Sequence, residues 1–203
     1  GGIGYSGGTL TGIEAIVTGG VYLGDGNDIF VVGDAGPGFG IVSGDGNDIV
    51  IGGNANDSFV GGNGNDTLAG HGGNDRLEGG TGLNELIGST GNDIYVVTNR
   101  TDSTVEYAGE GLDTVETTIG IYALQANVEN LTFTDHATHG AGVGNMLDNV
   151  INGGDGIDDL YGRAGNDTLN GWGSANTLLG QEGDDVYFVV TAGDWVIEFV
   201  GKG

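Results

Sequence analysis

Between Ser43 and Val96 apolar and polar residues alternate on a period of nine. In register the segments read SGDGNDIVI, GGNANDSFV, GGNGNDTLA, GHGGNDRLE, GGTGLNELI and GSTGNDIYV. The eighth positions are all apolar: Val50, Phe59, Leu68, Leu77, Leu86 and Tyr95. The sixth positions are all Asp or Asn: Asp48, Asp57, Asp66, Asp75, Asn84 and Asp93. One buried residue per short strand, a glycine-rich turn and an acid at a fixed step predict a solenoid stapled by metal. A further copy, LGDGNDIFV, runs from Leu23 to Val31 and places Asp28 at its sixth position. The stretch from Gly33 to Val42, which holds the only proline, Pro37, fits a degenerate unit with two extra residues. A second block starts at Gly144 and reads GNMLDNVIN, GGDGIDDLY, GRAGNDTLN, GWGSANTLL and GQEGDDVYF. Its sixth positions are Asn149, Asp158, Asp167, Asn176 and Asp185, and its eighth are Ile151, Leu160, Leu169, Leu178 and Tyr187.

The intervening segment has its own pattern. Tyr95–Val97, Thr104–Tyr107, Thr114–Thr117 and Asn130–Thr134 are rich in Val, Thr and Tyr, which predicts strands. Residues 94–111 echo residues 186–203, sharing a tyrosine followed by apolar residues, then an Asp, then a Val and a Glu followed by an aromatic residue. Gly12–Ile16 (GIEAI) echoes Asn127–Leu131 (NVENL). No stretch carries an amphipathic helical period with caps. The expected fold is all-β, a parallel β-roll or β-solenoid with two roll blocks joined by an irregular β-rich connector. The expected boundaries are a connector end over 1–22, a first roll over 23–96, a connector over 97–143, a second roll over 144–188 and the next connector from 189 to 203.

Composition sharpens this picture. Gly accounts for 47 of 203 residues, and Asp and Glu outnumber Lys and Arg by 29 to 4, giving a formal charge of −25. Such a charge would ordinarily favour disorder through self-repulsion. A flexible acidic linker, however, has no reason to keep an apolar residue two places after each acid. The charge reads instead as a cation site written many times over. With Lys202 the only lysine and no basic patch, nucleic acid and anionic membrane surfaces are not expected as partners. The absence of cysteine removes disulfides and thiol chemistry, and no apolar run is long enough to insert in a membrane. With no initiator Met and no signal peptide, the chain reads as an internal piece of a larger protein.

The nonapeptide matches G-G-x-G-x-D-x-U-x, and the chain resembles the calcium-binding β-rolls of secreted RTX proteins (haemolysin-type calcium-binding repeats). The connectors, with YVV, GLDTVETT, NVENLTF and GNMLDNVI, are similar to those of long RTX proteins of Gram-negative bacteria. The resemblance implies that two nonapeptides close one coil, so that residues eighteen apart stack at about the 4.8 Å strand spacing. Asp48, Asp66 and Asn84 then share one edge, and Asp57, Asp75 and Asp93 the other. In the second block Asn149, Asp167 and Asp185 face Asp158 and Asn176. It further implies that calcium ions sit between stacked turns. The implied ligands are the carboxylates of Asp28, Asp48, Asp57, Asp66, Asp75, Asp93, Asp158, Asp167 and Asp185, with backbone carbonyls such as those of Gly44, Gly46, Gly62 and Gly64. An all-oxygen shell suits calcium over zinc. Asn84, Asn149 and Asn176 supply a neutral oxygen, so weaker or missing ions are expected there, and Leu83 removes the usual fifth-position residue beside Asn84. Glycines at positions one, two and four are expected to provide positive φ or close backbone approach. One or two apolar residues per unit cannot balance the ordering of nine backbones, so folding is expected to require the metal.

The remaining motifs carry less. Gly4-Tyr5-Ser6-Gly7-Gly8 has the form of a nucleophile elbow without a preceding strand. His136 and His139 lie in a loop with no zinc-binding helix, and His71 occupies a variable turn position expected to be exposed. EF-hand loops fail for want of the required glycine and flanking helices. The expected function is a non-catalytic, calcium-hardened structural segment of a secreted or surface-attached Gram-negative RTX protein, in an adhesin, surface layer or extracellular filament. Alternatives are the folding module of a secreted protease, lipase or epimerase, and an ice-binding solenoid. The last is disfavoured because positions three and five pair as Asp45/Asn47, Asn54/Asn56, Asn63/Asn65 and Thr81/Leu83, with no flat threonine rank. Calcium is the expected partner, with self-association through unpaired solenoid edges or ends as a second mode.

Overall fold

A computed structural model describes residues 3–4, 9–13, 20–33, 37–134 and 139–198. The serine motif at Gly4–Gly8, the echo at Gly12–Ile16 and His136 lie wholly or partly outside them. The chain divides into two compact units, Gly1–Leu112 and Asp113–Gly203, a division that falls within the expected connector.

The first unit is a stack of parallel strands in two sheets. One sheet orders Ile3–Gly4, Val21–Asp25, Gly40–Asp45, Ser58–Asn63, Arg76–Thr81 and Ile94–Val97. The other orders Thr9–Ile13, Ile29–Val32, Ile49–Ile51, Thr67–Gly72, Glu85–Thr90 and Ser103–Val105. Successive strands in the chain alternate between the sheets, so each pair of nonapeptides closes one coil. The second unit repeats the plan with Thr114–Thr117, Asn130–Phe133, Val150–Asn152, Thr168–Asn170 and Val186–Phe188 in one sheet. Its other sheet holds Ile121–Ala123, Gly140–Val143, Asp158–Ala164, Thr177–Glu182 and Trp195–Ile197. Every strand pairing is parallel, and the described residues contain no helix. The fold is the all-β parallel solenoid that the nonapeptide period predicts.

The eighth positions build the core. Phe59 pairs with Leu77 and Val50 with Leu68, and Val50, Phe59, Leu68, Leu77, Leu86 and Tyr95 are fully buried. Ile151, Leu160, Leu169 and Leu178 do the same in the second unit. Alternate side chains of a strand point to opposite faces, so one apolar residue per strand fills the narrow interior and its neighbours face outward.

Rung length varies where the sequence departs from the period. Regular rungs step by 18 residues, as from Asp48 to Asp66. The degenerate stretch with Pro37 lengthens its rung, so that Asp28 stacks on Asp48 across 20 residues. In the connector Asp113 stacks on Glu129 after only 16. Among the connector strands, Thr114–Thr117 falls where the sequence predicts it. The expected strand at Thr104–Tyr107 instead spans Ser103–Val105. Glu106 follows it with its carboxylate turned inward, where it accepts the Tyr95 hydroxyl.

Candidate metal centre

Each turn carries its sixth-position side chain inward against the rung before it. The carboxylate Oδ1 of Asp48 accepts the N–H of Asp28 at 2.8 Å, and Asp66 accepts that of Asp48 at 2.9 Å. Asn84 continues this edge by accepting from Asp66 at 2.9 Å. On the opposite edge Asp57, Asp75 and Asp93 accept from Phe39, Asp57 and Asp75, each at 2.7 Å. In the second unit Asp167 and Asp185 accept from Asn149 and Asp167 at 2.8 Å, facing an edge where Asn176 accepts from Asp158 at 2.8 Å.

The fifth positions run a ladder in the other direction. Asn27 accepts the N–H of Asn47, Asn47 that of Asn65, and Asn65 that of Leu83, at 2.8–2.9 Å. Asn56, Asn74 and Asn92 form the matching ladder on the far edge. A fifth–sixth Asn-Asp pair therefore holds both the following rung and the preceding one. Leu83 can receive this support but cannot pass it on, and its side chain is exposed. The near-edge ladder ends there, one rung before the connector.

Glycine has two separate duties in these turns. Positions two and four take positive φ, for example 110° at Gly44 and 140° at Gly46, where an L side chain is strained. Position one does not, contrary to the sequence expectation; its constraint is steric. A Cβ on Gly61, Gly70 or Gly162 would run into Oδ2 of Asp66, Asp75 or Asp167 respectively. The carboxylate needs that space to fold back over its own turn. The carbonyls of Gly44 and Gly46 lie directly against the α-carbons of Gly62 and Gly64 on the next rung. Non-glycine residues at position two keep a positive φ at His71, Ser89, Arg163, Trp172 and Gln181, though not at Asn145. His71 is exposed, as expected. His139 is exposed too and pairs with Asp159 at 3.1 Å.

In most aspartate rungs one carboxylate oxygen is satisfied and the other is not; Asp57 is an exception, its Oδ2 accepting the Gly53 N–H at 3.2 Å. Oδ2 of Asp48, Asp66, Asp75, Asp167 and Asp185, and Oδ1 of Asp158, are buried with no hydrogen-bond partner. A buried anionic oxygen without a donor is costly unless a cation or proton reaches it. Desolvation accordingly pushes the carboxyls of Asp66, Asp93 and Asp167 up to about 6 and Asp75 up to about 7, against the lowering effect of the ladder N–H. Asp57, Asp102 and Asp185 shift the same way for the same first cause. An inward row of unpartnered, hard, anionic oxygens beside turn carbonyls fits calcium. Bound there, the ion supplies the missing positive charge.

Two acids of this row lie outside the glycine-rich units. Asp102 stands 18 residues beyond Asn84 and accepts its amide at 2.8 Å, and its own Oδ2 is buried without a partner. Asp194 stands 18 beyond Asn176 and accepts its backbone N–H at 3.0 Å. Desolvation of Asp194 raises its carboxyl more than any one donor lowers it, but the donors from Thr191, Asn176 and Val190 together outweigh it and hold the carboxyl below the usual range. The eighteen-residue step is the signal that finds both. The tyrosines that end each roll show a second device. The Tyr95 hydroxyl donates to Glu106 and accepts the Gly88 N–H at 2.7 Å. Tyr187 does the same with Glu198 and Gly180, at 3.0 Å from the latter.

A parallel solenoid with stacked inward carboxylates and glycine turns is a β-roll of the cation-binding kind. Residues 42–77, 69–97 and 152–187 match the family model of the RTX calcium-binding nonapeptide repeat, in four copies. A stretch of 69 residues, 34% of the chain, is 41% identical to Endo-1,3-1,4-beta-glycanase ExsH of Rhizobium meliloti (strain 1021). It spans only 14% of that protein's length. The matched repeats are of the RTX calcium-binding type, and the solenoid that they build fits an RTX β-roll protein.

Proposed function

We propose that the chain is a calcium-binding structural segment of a secreted or cell-surface protein, without catalysis of its own. RTX repeats are typical of secreted proteins of Gram-negative bacteria, which supports an extracellular setting. The observation that carries the reading is the row of buried carboxylate oxygens with no donor of their own. The roll cannot keep those oxygens charged and dry without cations, so its closure follows calcium. Extracellular calcium modules work at about 10⁻⁴–10⁻³ M, a level the cytosol lacks. The chain then folds after export and serves as a stiff spacer or scaffold of an adhesin, surface layer or filament.

The similarity to a glycanase favours a second reading, in which the roll is the folding module of a secreted enzyme whose catalytic part lies elsewhere. Calcium titration followed by far-UV circular dichroism, with magnesium as control, tests what both readings share. A cooperative gain of β-signal near 10⁻³ M calcium, on the order expected for extracellular modules, is expected, with none from magnesium. Full β-structure in calcium-free buffer would overturn it. Fusion to an unfolded β-glycanase domain separates the two: calcium-dependent acceleration of that domain's refolding supports the folding module, and its absence supports the spacer.

A further inference from the structure

The sixth-position asparagines differ from the aspartates in what their second terminal atom does. In the aspartate rungs that atom is an oxygen, and at Asp48, Asp66, Asp75 and Asp167 it is buried with no partner. In the asparagine rungs it is a nitrogen with two N–H groups to give, and all three asparagines donate from it. Asn84 Nδ2 donates to Oδ1 of Asp102 at 2.8 Å. Asn149 Nδ2 donates to the carbonyl of Glu129 at 3.1 Å and to Oδ1 of Asn145 at 3.2 Å. Asn176 Nδ2 donates to the carbonyls of Ser174 and Trp172, at 2.8 and 3.0 Å, and to Oδ1 of Asp194 at 3.2 Å.

Trp172 and Ser174 hold positions two and four of their turn, and the amide of Asn176 closes both of their carbonyls. Hydroxyl and amide groups from the connectors complete the arrangement. The position-four carbonyl of Gly82, in the Asn84 rung, accepts from Asn99 Nδ2 at 2.7 Å and from the Thr101 hydroxyl. The carbonyl of Ser174 also accepts from the Thr191 hydroxyl at 3.1 Å. At these rungs the chain brings its own donors to acceptors that an aspartate rung leaves to an ion.

We propose that Asn84, Asn149 and Asn176 are cation-free joints, in which the side-chain amide nitrogen takes the place of calcium and keeps the rung assembled without it. The inference rests on the calcium reading above and says which turns the ion passes over. The joints sit where rolls meet connectors. Asn84 with Asp102 ties the strand Ser103–Val105 to the end of the first roll, and Asn176 with Asp194 ties Trp195–Ile197 to the end of the second. Asn149 opens the second roll. The ends of each calcium-dependent stretch therefore stay in register while the aspartate rungs between them open and close with the ion.

The test uses the full chain, with calcium counted by isothermal titration calorimetry and local stability read by amide hydrogen exchange in calcium-free buffer. In the wild type, Ser103–Val105 should stay more protected without calcium than Thr67–Gly72, which lies among aspartate rungs. Asn84→Asp should lose that protection and bind one ion more than the wild type, with calcium restoring the protection. Asn84→Ala should lose it as well, without gaining an ion. An unchanged ion count in Asn84→Asp would overturn the inference while leaving the calcium reading intact. So would wild-type exchange at Ser103–Val105 as fast as at Thr67–Gly72. A wild-type chain that takes up no calcium would overturn both.

Discussion

The roll from Ser43 to Val96 and the connector from Asp113 to Val143 are both built of parallel rungs, but they are closed by different means. In the roll each strand buries one apolar residue, and the turns of Asp48, Asp66 and Asp75 turn inward an acid whose second oxygen lacks a donor. The connector uses irregular rungs and buries Val115, Ile119, Leu124, Val128, Leu131 and Phe133. Its polar groups are met from within: Glu129 accepts the Asp113 N–H at 2.8 Å, and the Thr117 hydroxyl accepts that of Ile119 at 3.0 Å. From the first unit of the second roll, the amide of Asn145 closes the connector carbonyls of Gln125 and Val128 at 2.8 and 2.7 Å. Regularity and self-sufficiency are alternatives here. A short repeated unit has room for only one core residue and, on the function proposed above, leaves the rest of its stability to the ion.

The largest effect that separates the two is on pH in calcium-free buffer. Burial raises Asp66, Asp93 and Asp167 to about 6 and Asp75 to about 7, from an ordinary 3.8. The folded roll therefore holds protons that the unfolded chain releases. That stability is fully present below the unfolded value and is lost as pH rises through 6 to 7. Circular dichroism of calcium-free chain should show more β-signal at about pH 5 than at about pH 8, the proton standing in for the ion. A spectrum unchanged across that range would break the comparison.

Core truncation comes next. Leu68→Ala in the roll and Leu131→Ala in the connector should each cost about 2–5 kcal/mol in thermal denaturation with calcium present. Without calcium only the connector change should still alter local hydrogen exchange, because only the connector retains a core there. Gly70→Ala should cost about 1–3 kcal/mol, since its Cβ must displace the Asp75 carboxylate. Gly120→Ala in the connector, where the nearest atom to a Cβ is the His139 carbonyl oxygen at 3.8 Å, should be close to neutral. Equal losses at the two glycines would show that position one is not reserved for the carboxylate. The smallest effect is at His71, whose φ of 77° strains an L residue. His71→Gly should stabilise the calcium-loaded roll by about 1 kcal/mol, seen as a higher melting temperature.

The period of nine made the solenoid, its core and both edges of stacked acids legible, because the eighth position packs and the sixth points inward on every rung. What it hid came from residues that keep the geometry without the motif. Asp102 and Asp194 continue the acid rows from turns that lack the glycine pattern, so only a count of eighteen from Asn84 and Asn176 reveals them. The fifth-position asparagines look like variable turn residues, yet Asn47 and Asn65 carry a hydrogen-bond ladder that depends on an orientation no composition encodes. Position one was legible as a glycine of close backbone approach, but the sequence did not show that it also makes room for a side chain five residues later.

The opposed ladders of the fifth and sixth positions also govern how such a chain can change length. Each Asn-Asp pair reaches to the same edge one full coil away, in both directions. Loss or gain of a single nonapeptide would carry every later strand to the other sheet and set each turn against the wrong edge. Gain or loss of two would restore every contact. The heritable unit of this architecture is thus the pair, and natural length variants of the roll should differ by even numbers of repeats.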